Sequence, residues 1–374
     1  MYISKRDFDI FRLLRWCRYV SKSMLETVFS PDEIACLIKL KIITHHRSSD
    51  SLLLTQRGNQ FVDQLDSSLP QCIQPSYRKS DTLRRLRRSL LMLTVYEAGL
   101  SLFHMNPIEI GCGDGFCLSS VTKGKGTNLW GSSRIAGILS VGLTTYAVHY
   151  VCPNIGRIAL LHELNMLSIG ASSLGKPRTA FMFVGETYEE VMKELDAEIP
   201  EPSKKRNNQS RIHYREAFEK NSTSVHILTC GQLGALQLKI MQCPDHYTTL
   251  AMYALGDAYE EPTREDDCDA HYKGEPFYVG VDMNLTRLDR ACAQGFIHIL
   301  VLEEQAVSVL IPRYAQTGRA KVYGIPQSVL HQFFHGEVFY YRPPEEPYQT
   351  KEGRVVHAPD IQAHTKSIDD SGEA

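Results

Sequence analysis

Along the first 65 positions, apolar residues recur at helical spacing, switch to a short extended run, and then return to helical spacing. Ser4, with Asp7 three residues later, reads as the capped start of a helix to about Arg15, with Phe8, Ile10, Phe11 and Leu14 on its buried face. Ser21 opens a shorter helix, SKSMLETVF, that turns Leu25, Val28 and Phe29 inward. Ser30 as cap and Pro31 at the first helical position predict a third, PDEIACLIKLK, burying Ile34, Leu37, Ile38 and Leu40. KIITHHRSSDSLLL then reads as a strand, a polar turn at RSSD and a second strand, and T-x-x-G leads into a closing amphipathic helix. Three short helices, a hairpin and a closing helix are the element order of a winged helix-turn-helix domain, whose third helix enters the major groove, and the same order also builds protein-binding winged helices that make no nucleic-acid contact.

A Ser/Pro-containing linker follows, and then RKSDTLRRLRRSLLMLTVYEAGL, which reads as one long helix. Leu83, Leu86, Leu90 and Leu93 share one face, while Arg78, Lys79, Arg84, Arg85, Arg87 and Arg88 crowd the other side of its first turns. From about residue 100 the pattern becomes β-rich. RIAGILSV, TTYAVHYV, IALLHELNML, TAFMFVG and SVHILTC are apolar or alternating runs that read as strands, with YEEVMKEL a helix between two of them. PEPSKKRNNQSR is expected as a polar loop and PTREDDCDAHYKGEP as an acidic one. PFYVGVDM, NLTRLDRACAQG, FIHILVLE, EQAVSVLIPRYAQTG, KVYGIP and QSVLHQFF then alternate strand and helix, the signature of parallel strands with crossover helices. The polar, proline-bearing tail is expected to be disordered.

The fold class expected is therefore α/β, with an N-terminal winged helix-turn-helix domain (α+β) and a C-terminal α/β domain built on a mixed or parallel sheet. The boundaries read as 1–66 for the winged helix, 67–99 for the linker and basic helix, 100–341 for a nuclease-like or Rossmann-like α/β domain, and 342–374 for the tail.

Charge sharpens this picture. The net charge of -2 over 374 residues hides an asymmetry: residues 1–98 carry 16 Lys+Arg against 10 Asp+Glu, or +6, which leaves -8 for the remainder. A basic head on an acidic body suits phosphate binding at one end only. With 43% hydrophobic and 22% charged residues the composition is that of a globular protein. No apolar run reaches the roughly 20 residues that span a bilayer, and the first residues lack a signal-peptide pattern, so no membrane partner and a cytoplasmic location are expected. Ten cysteines without paired spacing fit free thiols in a reducing compartment. Only Cys112 and Cys117, in GCGDGFC, lie close together, and no second pair or neighbouring histidine completes a zinc pattern, so no metal site and no cofactor are expected.

The candidate DNA contacts are Ser30 at the start of the third helix, Lys39 and Lys41 at its end, and His45, His46 and Arg47 on the wing. Each reads equally well as a solvated surface residue. Arg84, Arg85, Arg87 and Arg88 read either as phosphate contacts beside the wing or as a linker-helix face that pairs with the acidic body. No P-loop, nucleophile elbow, H-E-x-x-H or dinucleotide fingerprint is present. Asp282, at the end of FYVGVD, stands where α/β proteins place functional groups, but strand-end aspartates are also ordinary helix caps, and Asn284 would cap the next helix as well. The weak catalytic candidate is Glu163. A metal-dependent nuclease needs carboxylates on neighbouring strands and a lysine two positions past the second carboxylate, and here that position is Asn165, while RIAGILS offers no acid.

The run RDFDIFRLLRWCRYVSKSMLETVFS, the following helix, wing and LTQRG, the arginine-bearing helix ending in Ala98-Gly99, and the strands SRIAGILS and TYAVHY together resemble the replication-relaxation proteins of plasmids and integrative conjugative elements. The resemblance covers about two thirds of the chain, and its firmest part is a winged helix that many regulators share. It implies a DNA-binding accessory protein of a mobile genetic element, acting in plasmid replication, DNA relaxation or conjugative transfer. The family's α/β domain is suspected to be nuclease-like. Double-stranded DNA is then the first partner, and the body is left to dock a relaxase, a replication protein or a second copy of the chain. Two other classes stay open: a winged-helix transcriptional regulator with a ligand-sensing or oligomerisation domain, and a metal-dependent nuclease.

Overall fold

The computed structural model describes residues 5–46, 49–65, 69, 79–104, 107–110, 113–122, 133–151, 162–163, 165–166, 176–197, 223–325 and 330. The fold is mixed α/β with three sheets, and the chain divides into two compact units. The first holds residues 1–223 and 228–242, the second residues 224–227 and 243–374. The division falls inside the stretch 100–341 that the pattern read as one domain. Among the described residues no helix is long and apolar enough to cross a membrane.

The first unit begins with α1 (Lys5–Cys17), β1 (Val20–Ser21), α2 (Lys22–Val28), α3 (Pro31–Lys39), β2 (Ile43–His45), β3 (Ser51–Leu54) and α4 (Gln56–Leu65). Its sheet is antiparallel with strand order β1-β3-β2, so the two-residue β1 completes a hairpin from the far side of two helices. Local chemistry fixes these elements. Ser21 accepts from the Met24 N–H to start α2. Ser30 and Glu33 form a capping box at α3: the Ser30 hydroxyl accepts from the Asp32 N–H at 3.3 Å, and the Glu33 carboxylate accepts from the Ser30 N–H at 3.0 Å. Thr55 caps α4 by accepting from the Gly58 N–H at 2.9 Å. Gly58 sits so close to the chain entering β2 that a Cβ there would lie 2.1 Å from the Ile42 carbonyl oxygen.

The helix α5 (Lys79–Glu97) runs from these elements into the rest of the unit. It packs on α1, α2 and β1, and on α7 (Gln232–Gln242), introduced below. Its buried residues are Ser89, Leu91, Met92, Leu93, Thr94 and Val95, so of the face read from Leu83, Leu86, Leu90 and Leu93 the last is fully buried, Leu86 and Leu90 are half-buried and Leu83 is 49% exposed. Contact from two sides explains the difference, because it broadens the apolar face beyond a single leucine stripe.

A five-stranded sheet follows, in the order β4 (Gly115–Leu118), β5 (Gly137–Val141), β6 (Thr144–Tyr150), β7 (Arg178–Gly185) and β8 (Ser224–Thr229). β4, β5 and β6 form an antiparallel meander, and β7 joins β6 in parallel. The GFC of GCGDGFC, and with it Cys117, is thus part of an edge strand. Helix α6 (Tyr188–Asp196) is capped by Thr187, and α7 follows β8. One continuous core joins Phe11, Leu25, Leu37 and Leu52 of the first elements to Leu91, Leu139, Val148 and Met182 of the helix and sheet.

The second unit carries α8 (His246–Leu255) and a sheet in the order β12 (Ala320–Ile325), β11 (Ile297–Leu302), β10 (Glu275–Val279), β9 (Ala270–Tyr272). β10, β11 and β12 are parallel, linked by α9 (Leu285–Gln294) and by a helical stretch whose main part, Ala306–Ala315, is π-helical rather than α-helical. The parallel series expected there is present. Its antiparallel edge, β9, lies in the stretch read as an acidic loop. β9 and β10 meet at a two-residue turn in which Lys273 and Gly274 both have positive φ, as a type I′ hairpin requires. The expected helix QSVLHQFF, apart from Leu330, the loop PEPSKKRNNQSR and the tail lie outside the described residues.

Candidate nucleic-acid interface

Helix α3 buries Ile34 and Leu37 and leaves Asp32, Ala35, Cys36 and Lys39 exposed. It ends in a Schellman motif: the Lys41 N–H donates to the Ile38 carbonyl at 2.9 Å and the Ile42 N–H to the Leu37 carbonyl at 3.1 Å. Glycine normally takes the left-handed position of this motif, but here Lys41 holds it at φ 58°. The strain sets an exposed lysine between the end of α3 and the hairpin. His45, exposed on β2, continues the same edge. His46 is half-buried, with Nδ1 2.9 Å from the Ser49 hydroxyl and its ring edge-on to Tyr19 at 4.9 Å. Ser30 is exposed, but its hydroxyl serves the cap of α3. Arg47 lies outside the described residues.

Much of the positive charge in this region is engaged internally. Arg15, 8% exposed, binds Asp63 and Asn59 and so ties α1 to α4. Arg12 pairs with Asp9, and Lys22 with Glu26, one helical turn apart. In α5, Arg84 and Arg85 both bind Asp81 at 2.6 and 2.9 Å. Burial would raise the Asp81 pKa, but these two hydrogen bonds outweigh it and hold the carboxyl down at about 2. Arg87 lies over the Tyr150 ring at 5.2 Å. Arg88 is half-buried, and desolvation lowers its pKa, with Arg84 and Arg85 repelling it further. The four arginines of α5 therefore differ: only Arg84, with its side chain 69% exposed, faces solvent broadly.

Glu163 does not lie in a strand. Residues 162–163 and 165–166 are helical, and Glu163 is buried while Asn165 is exposed. With one buried and the other exposed, Glu163 and Asn165 do not share a face, as two such positions on a strand would. The Glu163 carboxylate accepts from the Ser133 hydroxyl and from the Arg134 N–H at 2.6 Å, which anchors the chain entering β5. His149 of β6, its ring tilted against those of Phe181 and Phe183, comes within 3.8 Å of it. β5 and β6 carry no carboxylate that could share a metal with it.

In the second unit Asp282 is 2% exposed and faces His226, with its carboxylate 3.3 Å from Nδ1. Tyr247 donates to the same carboxylate at 2.7 Å, and the Asn284 N–H to its other oxygen at 3.3 Å. Asn284 is the cap of α9, accepting from the Arg287 N–H. Arg287 forks onto Asp269 through two bonds of 3.0 Å and lies over the rings of Tyr247 and Tyr278. Burial lowers the His226 pKa against the pull of Asp282 and raises that of Asp269 against the pull of Arg287. Sequence reasoning found Asp282 but not its partners, because His226, Tyr247 and Asp269 come from distant segments.

Comparison with protein-family models, curated proteins and solved structures finds no match to this chain.

Proposed function

We propose that residues 5–65 form a winged helix-turn-helix that binds double-stranded DNA. In this reading the chain is a DNA-binding accessory protein of a mobile genetic element, acting in plasmid replication, DNA relaxation or conjugative transfer. The observation that carries the DNA-binding reading is the strand order β1-β3-β2 with α2 and α3 inserted between β1 and β2. This layout buries one side of α3 and leaves the other free to enter a major groove, with the β2–β3 hairpin beside it as the wing. Lys41, exposed at the left-handed end of α3, adds a cation beside the same surface. Lys39, Lys41, His45 and the exposed Arg84 are the contacts in this reading, and Arg85, Arg87 and Arg88 brace α5 instead. The mobile-element role rests on the family resemblance, and the remainder of the chain would dock a relaxase or replication protein. Hydrolysis at Glu163 loses support, because both of its oxygens already serve Ser133 and Arg134.

The test is binding of the purified full chain to duplex DNA from around its own gene and to scrambled duplex, read by fluorescence anisotropy at several salt concentrations. Tighter binding to the native region supports sequence-directed recognition. Absence of binding to either duplex at low salt would overturn the reading.

A further inference from the structure

Three different metal-ligand types converge at the turn that precedes β9. Asp266, Cys268 and His271 place one oxygen, one sulfur and one nitrogen within 4.8 Å of one another. His271 Nε2 stands 3.0 Å from Asp266 Oδ2 and 3.6 Å from Cys268 Sγ. Both neighbours thus face the same ring nitrogen. A relay of the nucleophile-histidine-acid kind would use both nitrogens of the ring, one for each partner. Convergence on a single nitrogen is instead the geometry of donors that share a central point.

The distances fit such a point. Tetrahedral zinc with bonds of about 2.3 Å to sulfur and 2.0–2.1 Å to nitrogen and oxygen separates S from N by about 3.6 Å and N from O by about 3.3 Å. His271 Nε2 stands close to these separations from the other two donors, and the sulfur and the carboxylate oxygen lie within 4.8 Å of each other. The Thr263 N–H and hydroxyl fix the Asp266 carboxylate by donating to Oδ2, the oxygen that also faces His271, at 2.8 and 2.7 Å, so that its position is set before an ion arrives. The His271 backbone pairs in both directions with Glu260, and the Asp269 N–H, one residue past Cys268, donates to the Phe277 carbonyl at 2.9 Å. Cys268 is 8% exposed while the other two reach solvent more freely, so the cluster opens to one side. The flanking carboxylates of Glu265 and Asp267, both exposed, add negative potential for an approaching cation.

We propose that Asp266, Cys268 and His271 bind a divalent transition cation of the zinc class, with the fourth position left to water or an exchangeable ligand. A thiolate, an imidazole and one carboxylate favour such an ion over magnesium or calcium, which take oxygen donors. On binding, the Cys268 sulfur exchanges its proton for the metal, and the proton leaves to solvent. The ion staples the turn at residues 263–268 to β9 and so to the sheet of the second unit. This inference is independent of the DNA-binding reading, since none of its residues belongs to the proposed interface.

The experiment is titration of the reduced, metal-free full chain with cobalt(II), followed by its absorption. Saturation at one equivalent with a thiolate-to-cobalt charge-transfer band is expected, and zinc, but not magnesium, should bleach it. Cys268→Ser should abolish the band. His271→Gln should raise the cobalt Kd at least about tenfold, since loss of an outer-shell partner alone costs 10- to 100-fold. Should Cys268→Ser fail to fold by circular dichroism, His271→Gln decides alone. No saturable band, or a band unchanged in both variants, would overturn the proposal and reduce the cluster to a hydrogen-bonded turn.

Discussion

The first 65 residues and the second unit treat charge in opposite ways. At the N-terminus the ionic pairs are mostly local or partly exposed: Arg12 with Asp9, Lys22 with Glu26. Lys39, Lys41 and His45 stand at the surface. The second unit instead buries His226 and Asp282 and largely withdraws Asp269 and Arg287 from water, each bound to residues remote in sequence. Surface charge near water contributes little to stability and remains available to a polyanion, whereas a buried ion pair that loses one partner strands a desolvated charge and destabilises the fold. Substitutions of charged residues should therefore separate cleanly, with binding effects in one region and stability effects in the other.

The largest expected effect tests the buried side. Arg287→Met removes both bonds to Asp269 and leaves that carboxylate without a counter-charge, held only by the Val279 N–H at 2.7 Å among its described partners, a loss of about 3–5 kcal/mol measured by urea unfolding. A loss below about 1 kcal/mol, the range of exposed pairs, would end the contrast between the regions. Next comes Gly58→Ala, which drives a methyl group into the Ile42 carbonyl and should cost about 1–3 kcal/mol by overpacking. Normal stability in this variant would mean that α4 is not seated on the start of β2. Lys41→Gly should relieve about 1 kcal/mol of left-handed strain while it weakens DNA binding. Equal binding by this variant would make Lys41 a surface residue with no role in contact.

The pH response sharpens the comparison further. The folded His226 pKa lies below its ordinary value of 6.5, so the unfolded chain takes up a proton first as pH falls. Its contribution to stability is present above pH 6.5 and is lost as pH drops through that value. Thermal unfolding at pH 7.5 and 5.5 should show a smaller pH-dependent drop in Tm for His226→Asn than for the native chain. An unchanged drop would assign the response to other groups.

Elements with strong local punctuation were legible in the sequence. Ser21, Ser30 and Asn284 cap the helices expected of them, and the parallel series from β10 to β12 follows its alternation. Elements defined by tertiary contact were not. β1 is two residues long and exists only because β3 pairs with it. All four residues of β4 are buried, so it shows no alternation, and α7 is apolar around most of its surface. β9 was hidden because its type I′ turn is Lys-Gly in place of the more familiar Asn-Gly, within a run of acids. Glu163 misled because an apolar run suits a strand or a buried helix equally. Of the candidate contacts near α3, Ser30, Lys39, Lys41 and His45 are exposed while His46 is half-buried, and the division of labour among the arginines of α5 was not legible. Helical spacing alone cannot show that Arg87 lies on Tyr150 and that Arg88 is withdrawn from water.

The central claim is that the edge formed by α3 and the hairpin contacts DNA phosphates, and salt-dependent binding tests it most directly. The full chain is the right material, because its first elements share one core with α5 and the five-stranded sheet. The slope of log K against log salt should be steep for the native chain, and in Lys39→Gln/Lys41→Gln it should become shallower by about 1.8, or roughly 0.9 for each phosphate contact removed. Unfolding stability should fall by no more than about 0.5 kcal/mol, or rise. An identical slope in the native and variant chains, or a native slope near zero, would contradict the account.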